Sequence, residues 1–241
     1  AAFGARETLF SAGGCTLCIQ TMLLLGAGAG GRVLMARTAH RSAVHTAVLL
    51  GFEPVWLWPS QNEDGVLPPD ADAVERALAA DPGIRAVYVT SPDYAGNLCD
   101  VPAFAAVCRR YGVPLLVDNA HGSHLSAFGL HPLALGADLT ADSAHKTLPV
   151  LTGGAMLHIG NTPFAAGITR PAAKAAMALF GSTSPSFPVL ASLDLARSWW
   201  EQEGPVAFRQ VAEITAGLRR TAAEQGVEAY AGRALRDPSR L

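Results

Sequence analysis

Apolar positions along the chain fall into two alternating patterns. Short runs rich in valine and leucine recur at Arg32–Arg37 (RVLMAR), Pro54–Trp58 (PVWLW), Ile84–Thr90 (IRAVYVT), Pro114–Asn119 (PLLVDN), Ala137–Asp142 and Gly154–Ile159. Interspersed with them, Ala39–Gly51, Asp70–Ala80 and Val101–Tyr111 carry apolar residues at helical spacing. Asp70 and Asp100 stand where a side-chain oxygen caps a helix start, and Gly51 and Gly112 where a helix stops. Strands alternating with helices predict an α/β fold, three αβα layers around a mostly parallel sheet covered on both faces. After Pro163 the pattern is helical almost to Gly226, and no internal repeat or low-complexity linker interrupts it.

Composition narrows the function classes. Half of the 241 residues are hydrophobic and 16% are charged, a balance suited to an extensive core. A formal charge of −2, with no basic run, gives no footing for a nucleic-acid partner. The longest apolar candidate, near Thr21–Ala29, is too short to span a bilayer, so no membrane partner is expected. AAFGARETLF lacks the basic start and apolar segment of a secretory signal, and the missing initiating methionine suggests a fragment. Cys15 and Cys18 form a C-x-x-C without a second pair in zinc-ribbon spacing; with Cys99 and Cys108 they are read as reduced thiols in a cytoplasmic protein, and no metal is expected.

In open α/β sheets ligands gather beyond the carboxyl ends of the strands, and four motifs fall there. In SAGGCT, Ser11–Thr16, glycines ahead of a helix present amides to an anion, with Thr16 offering a hydroxyl; taken alone, the segment reads better as an ordinary glycine turn. His40 opens a helix after a strand, where an imidazole either caps the helix or stacks on a ring. In VDNAHGSHL, the Asp118 carboxylate emerges from a buried strand and needs a partner, for which a protonated ring nitrogen would serve. A metal site of Asp118, His121 and His124 competes with that reading. In DSAHKTLPVLTGG, Lys146 sits in an apolar neighbourhood that would desolvate its amine and prepare it to form a Schiff base with an aldehyde. Ser143 and His145 flank it and could contact a phosphate.

Four stretches, YVTSPDYAGNLCD, LLVDNAHGSHL, GADLTADSAHKTLPVLTGGAMLH and GSTSPSFPVLASLDLAR, together resemble the major domain of the Orn/Lys/Arg decarboxylases, fold-type I pyridoxal phosphate enzymes of the aspartate aminotransferase superfamily. The resemblance covers almost the whole chain, and S-x-H-K-T-L-P is its most specific part. It implies pyridoxal 5'-phosphate as cofactor, with Lys146 bonded to it, His145 beside that lysine, Asp118 on the pyridinium, His40 stacked on the ring and His121 nearby. Ser143, Gly14, Cys15 and Thr16 would hold the phosphate, although Cys15 stands where serine is usual, and a thiol is a weak donor. Thr183, in STSPS, falls in a segment that reaches the neighbouring subunit's cofactor, so a homodimer or larger assembly is implied. The resemblance also implies a pyridoxal phosphate-binding domain over 1–228, with 229–241 as a tail toward a smaller C-terminal domain that is absent.

The activity that follows is decarboxylation of a basic amino acid: lysine, arginine or ornithine. An aminotransferase, an aldol-type lyase and a truncated relative that binds the cofactor without turnover remain open. Asp93 and Glu201 are the candidate acids for a substrate's distal cation.

Overall fold

Among the described residues, nine strands and eight α-helices follow in the order β1 (Glu7–Ser11), α1 (Gly14–Ala27), β2 (Arg32–Ala36), α2 (Arg41–Leu50), β3 (Glu53–Leu57), β4 (Ser60–Asn62), β5 (Gly65–Leu67), α3 (Ala71–Ala80), β6 (Ile84–Thr90), α4 (Val101–Tyr111), β7 (Leu115–Asp118), β8 (Leu139–Asp142), β9 (Ala155–Ile159), α5 (Pro163–Ala166), α6 (Arg170–Ala178), α7 (Phe187–Gln202) and α8 (Gly204–Glu224). The computed structural model describes residues 3–62, 65–227 and 235–240, and the boundary expected between 228 and 229 lies outside them.

Seven strands form one sheet in the order β1-β9-β8-β7-β6-β2-β3. The pairings from β8 through β7, β6 and β2 to β3 are parallel, while β9 runs antiparallel to both β8 and β1. The expected strands and helices all form, with ends displaced by one or two residues. Asp70 and Asp100 cap α3 and α4 through side-chain oxygens, and Gly51 and Gly112 close α2 and α4 at φ 67°. Only a glycine takes that left-handed conformation without strain.

Two features are additions to the sequence-based picture: the edge strand β1 and the β4–β5 hairpin. β1 is short and carries Thr8 between Glu7 and Leu9, so no apolar run marks it; its register against β9 pairs Leu9 with Leu157.

Period two sorts each central strand onto two faces. Val33, Met35, Tyr88, Leu116, Leu139 and Leu157 pack on one side with Met22 and Leu23 of α1. Leu34, Val87, Val89, Leu115 and Val117 pack on the other with Val74 and Leu78 of α3 and Phe104 of α4. α1 is apolar on nearly every side because it is buried between the sheet and its neighbouring helices, α2 and α6. A third apolar cluster, with Phe3, Met156, Leu193 and Trp200, seats α7. No helix among the described residues is long and apolar enough to cross a membrane.

The functional consequence is directional. β2, β6, β7 and β8 all end at one sheet edge. β1 also ends there, because two successive antiparallel pairings set it parallel to β8. Residues 235–240 fold back to the same region: Leu98 N–H donates to Leu235 O at 2.7 Å, and Asp237 N–H to Gly96 O at 2.9 Å.

Candidate active site

At that edge opens a cavity of about 710 Å³. Gly14, Cys15 and Thr16 line it from the start of α1, His40 from the start of α2, and Asp118, His121, Ser143, His145 and Lys146 from the ends of β7 and β8. Nine of the ten residues nominated from sequence therefore share one space. Thr183 does not; its neighbours Ser182 and Ser184 border a separate groove of about 630 Å³ with Gln20 and Lys174.

Asp118 is 1% exposed. Tyr88 donates its hydroxyl to Oδ2 at 2.9 Å, and the Ala120 amide donates to Oδ1 at 3.1 Å. Burial nevertheless raises its pKa above the ordinary carboxylate value; these two hydrogen bonds, with His40 and Lys146, oppose the shift without cancelling it. An acid in that state gains from a cation placed against it. Thr90 Oγ1, in the same cavity wall, is buried without a partner.

The α1 start departs from the sequence reading. Gly13 N–H is occupied by Ser11 Oγ at 3.1 Å, and Gly14 N–H by Gly153 O at 2.8 Å. The glycines thus shape the turn, and an anion would meet the first-turn amides beyond them, at Cys15 and Thr16, which have no acceptor within the helix. Burial raises the Cys15 thiol well above its usual value and Cys18 to about 12, which disfavours the thiolate at both, and the two cysteines are unbonded.

Lys146 also requires a correction. The short 3-10 turn Ala144–Lys146 points Ala144 into the core and leaves the lysine exposed, so the desolvated amine inferred from the sequence is absent. Its apolar neighbours form the floor beneath it, while Nζ reaches over the cavity to His121 Nε2 at 3.0 Å. Burial first, then the positive charges of Lys146, Arg240 and His40, lower the His121 pKa to about 4. Burial and Lys146 likewise lower His145. His40 caps α2, accepting from Ser42 N–H at 3.2 Å, and it also lines the cavity.

The competing metal site is not assembled. His124 turns away from the cavity to Asp237, at 2.9 Å, and to Ser239. A different cluster, His131, Asp142 and His158, does bring ligand-type atoms within 4.8 Å of one another. Leu133 N–H donates to His131 Nδ1 at 3.3 Å, and His131 Nε2 lies 3.1 Å from Asp142 Oδ2. All three residues of the cluster are buried and none of them lines the cavity, so the cluster stands apart from the candidate site.

Of the two candidate substrate acids, Asp93 lines the cavity, whereas Glu201 pairs with Arg197 at 2.8 Å on the exposed face of α7. Both Asp93 oxygens are engaged by Asn97, through its amide N–H and its side chain, each at 2.8 Å. Sequence reasoning missed Tyr88, Thr90 and Arg240. Tyr88 shares a face of β6 with Thr90, two residues before the strand end, a polar phase that marks a strand entering a site. Arg240 carries no such signal, because only the folded-back tail brings it near.

The sequence matches the Orn/Lys/Arg decarboxylase major domain over residues 1–231. The chain belongs to this family. Family members depend on pyridoxal phosphate. The chain is 34% identical over 202 residues to the uncharacterized protein YaaO of Bacillus subtilis, covering 82% of this chain and 42% of that one. It is 32% identical over 222 residues to the arginine decarboxylase of the same organism, covering 90% and 44%. The decarboxylase-family fold is matched by the Francisella novicida lysine decarboxylase LdcF, at a TM-score of 0.80 and 21% identity, covering 95% of this chain and 34% of that one. The chain thus spans less than half the length of these relatives.

Proposed function

We propose that this domain binds pyridoxal phosphate and serves decarboxylation of a basic amino acid. The observation that carries the proposal is the convergence on one cavity of a buried, under-partnered carboxylate, a helix start and a lysine whose amine overhangs the space. These residues fit the cofactor in chemical type. The bound group would supply an aldehyde for covalent attachment and a ring that accepts electrons from the substrate's α-carbon.

The chain's own groups do the rest. Asp118 would hold a proton on the ring nitrogen, and a positive charge there would relieve the cost of burying its carboxylate. His40 would lie against the ring. Cys15 and Thr16, with Ser143, would hold the phosphate, the thiol contributing least. Lys146 Nζ would supply the amine for covalent attachment and, with His145 beside it in sequence, would be a group able to return a proton to the substrate. Asp93, anchored by Asn97, faces a substrate's distal cation. Thr183 lies off this chain's cavity, as a residue serving a second copy would, and we extend the proposal to a homodimer.

Adding pyridoxal phosphate should produce the absorbance of a lysine-bound cofactor, and borohydride should fix it to the peptide containing Lys146. Lys146→Ala should abolish both; a label that persists in that variant overturns the assignment. A panel of arginine, lysine and ornithine should release carbon dioxide. The fraction of its relatives that the chain spans favours a second reading, cofactor binding without turnover by this domain alone. Assaying both this chain and a longer protein containing it separates the two, and keto-acid formation instead of carbon dioxide would indicate aminotransfer.

A further inference from the structure

Arg240 lies far along the chain from the motifs that nominate the site, yet its side chain reaches the site's rim. Its carbonyl accepts from the Arg219 guanidinium, its Nε lies 3.4 Å from Asp237 Oδ2, and Nη1 donates to the Tyr94 carbonyl at 3.0 Å. Nη2 lies 3.2 Å from His121 Nδ1. On the opposite side of the same ring, Nε2 is 3.0 Å from Lys146 Nζ. A guanidinium has donors and no acceptor, so Nδ1 must accept. Burial, the largest cause of its lowered pKa, and the neighbouring Arg240 charge keep the ring neutral near pH 7, with one proton. That proton then resides on Nε2, facing the lysine.

We infer that Arg240 is a positioning residue that fixes His121 in its Nε2–H form, so that the ring donates to Lys146 Nζ and favours the free amine over the ammonium. The inference rests on the reading of Lys146 proposed above, since only a free amine has the lone pair to attack an aldehyde. Without Arg240 the ring can place its proton on Nδ1 and accept from the lysine ammonium, which favours the unreactive form. The other titratable groups around this pair are Cys15 on α1, His40 before α2, Asp93 and Tyr94 in the 91–97 loop, the latter with its ring edge-on to His121 at 5.4 Å, Asp118 at the end of β7 and His145 beside the lysine. None of them touches His121 Nδ1 as Arg240 does.

The chain's two lysines, Lys146 and the exposed Lys174 of α6, make the test internally controlled. In ligand-free protein, ¹⁵N resonances of the histidine rings report which nitrogen of His121 bears the proton. Reactivity is read separately with acetaldehyde and cyanoborohydride: Nζ attacks the aldehyde carbon, the oxygen leaves as water, and hydride from the borohydride reduces the resulting C=N bond. Peptide mass spectrometry then gives alkylation at each lysine against pH.

Arg240→Gln should shift His121 toward its Nδ1–H form. It should also move the midpoint of Lys146 alkylation upward by about one pH unit, roughly tenfold less modification at a fixed pH below it. Lys174 should not change, and Arg240→Lys should restore part of both effects. An unaltered tautomer and unaltered Lys146 rate in a folded Arg240→Gln protein would overturn the inference. Should that variant lose its dispersed amide spectrum, His121→Phe decides, because the same upward movement is expected and an unchanged midpoint rejects the relay. If pyridoxal phosphate fails to label Lys146 while His121 keeps its Nε2–H form, the functional proposal falls and this inference stands.

Discussion

Asp118 and Asp142 end neighbouring parallel strands, and both are buried to within 1% of full enclosure, yet the protein treats their charges in opposite ways. Burial pushes both pKa values up. At Asp142, His131 through its charge and hydrogen bond, then His158 and the Asn119 side chain at 2.8 Å, outweigh burial and bring the acid below its ordinary value. At Asp118, Tyr88 and one backbone amide do not suffice, and the acid remains raised. One carboxylate is satisfied by the fold; the other borders a cavity, and His40 and Lys146 offset only part of the cost of its burial. The difference separates a structural acid from one whose partner arrives from outside.

The largest break in this comparison is expected from removing each acid in turn. Asp142→Ala leaves His131 Nε2 and the Asn119 amide without their shared partner in a site closed to water. Stripping one partner from such a buried network costs about 3–5 kcal/mol. Asp118→Ala leaves Tyr88 and Ala120 facing a cavity that water can fill, so its cost should stay below about 1 kcal/mol. Cofactor retention should show the reverse order, lost in the Asp118 variant. Urea unfolding at neutral pH, paired with a pyridoxal phosphate titration, measures both; equal stability losses would remove the distinction.

A smaller effect concerns pH. Burial lowers His158 to about 4, against about 6.5 for the unfolded residue. Between these values the unfolded chain binds the extra proton, so stability falls as pH drops from about 6.5 to 4, by on the order of 3 kcal/mol. Asp142 adds stability that is present above its unfolded value near 3.9 and is lost on further acidification, through its depressed folded value. Asp118 has the opposite sign: its raised folded value makes ionisation at neutral pH a cost to folding. His121, also lowered to about 4, contributes over the same window, so His158→Gln should remove roughly half of the loss between pH 6.5 and 4 while leaving the steeper loss below 4. A variant profile parallel to wild type over that upper window would show that His158 is not among the groups responsible.

These contrasts also explain what could be read in advance. Runs such as IRAVYVT and PLLVDN are apolar on both faces because the sheet is covered on both, so strands and layers follow from pattern alone. His40, Asp118 and Lys146 each sit at the carboxyl end of a strand, and parallel connection brings such ends to one edge whatever the loops do. The solvation of Lys146 was illegible, because a three-residue 3-10 turn decides which way a side chain points, and composition around it does not. Arg240 and the His131–Asp142–His158 network were illegible for another reason: their partners lie 11 to 119 positions away, with no shared periodicity. Glu7–Ser11 eluded pattern because an edge strand need bury only alternate positions, here Leu9 and Ser11.

The finest test of the comparison is Tyr88→Phe, which changes one atom in the support of Asp118 and nothing in that of Asp142. The tyrosine is fully buried and its own pKa is raised well above the usual value, first by burial and then by Asp118, so its hydroxyl keeps its proton and donates it. Removing that donor leaves Asp118 with the Ala120 amide alone, and the carboxyl pKa should rise further, as isotope-edited carboxyl infrared or ¹³C spectra would record. The stability loss should be about 1–2 kcal/mol where Asp118 is ionised, since a hydrogen bond to a charged acceptor is worth more than one to a neutral group. It should shrink on acidification, because a protonated Asp118 depends less on the donor. A loss that is the same at every pH would mean that the hydroxyl merely fills space, and the contrast between the two acids would then owe nothing to how their charges are supported.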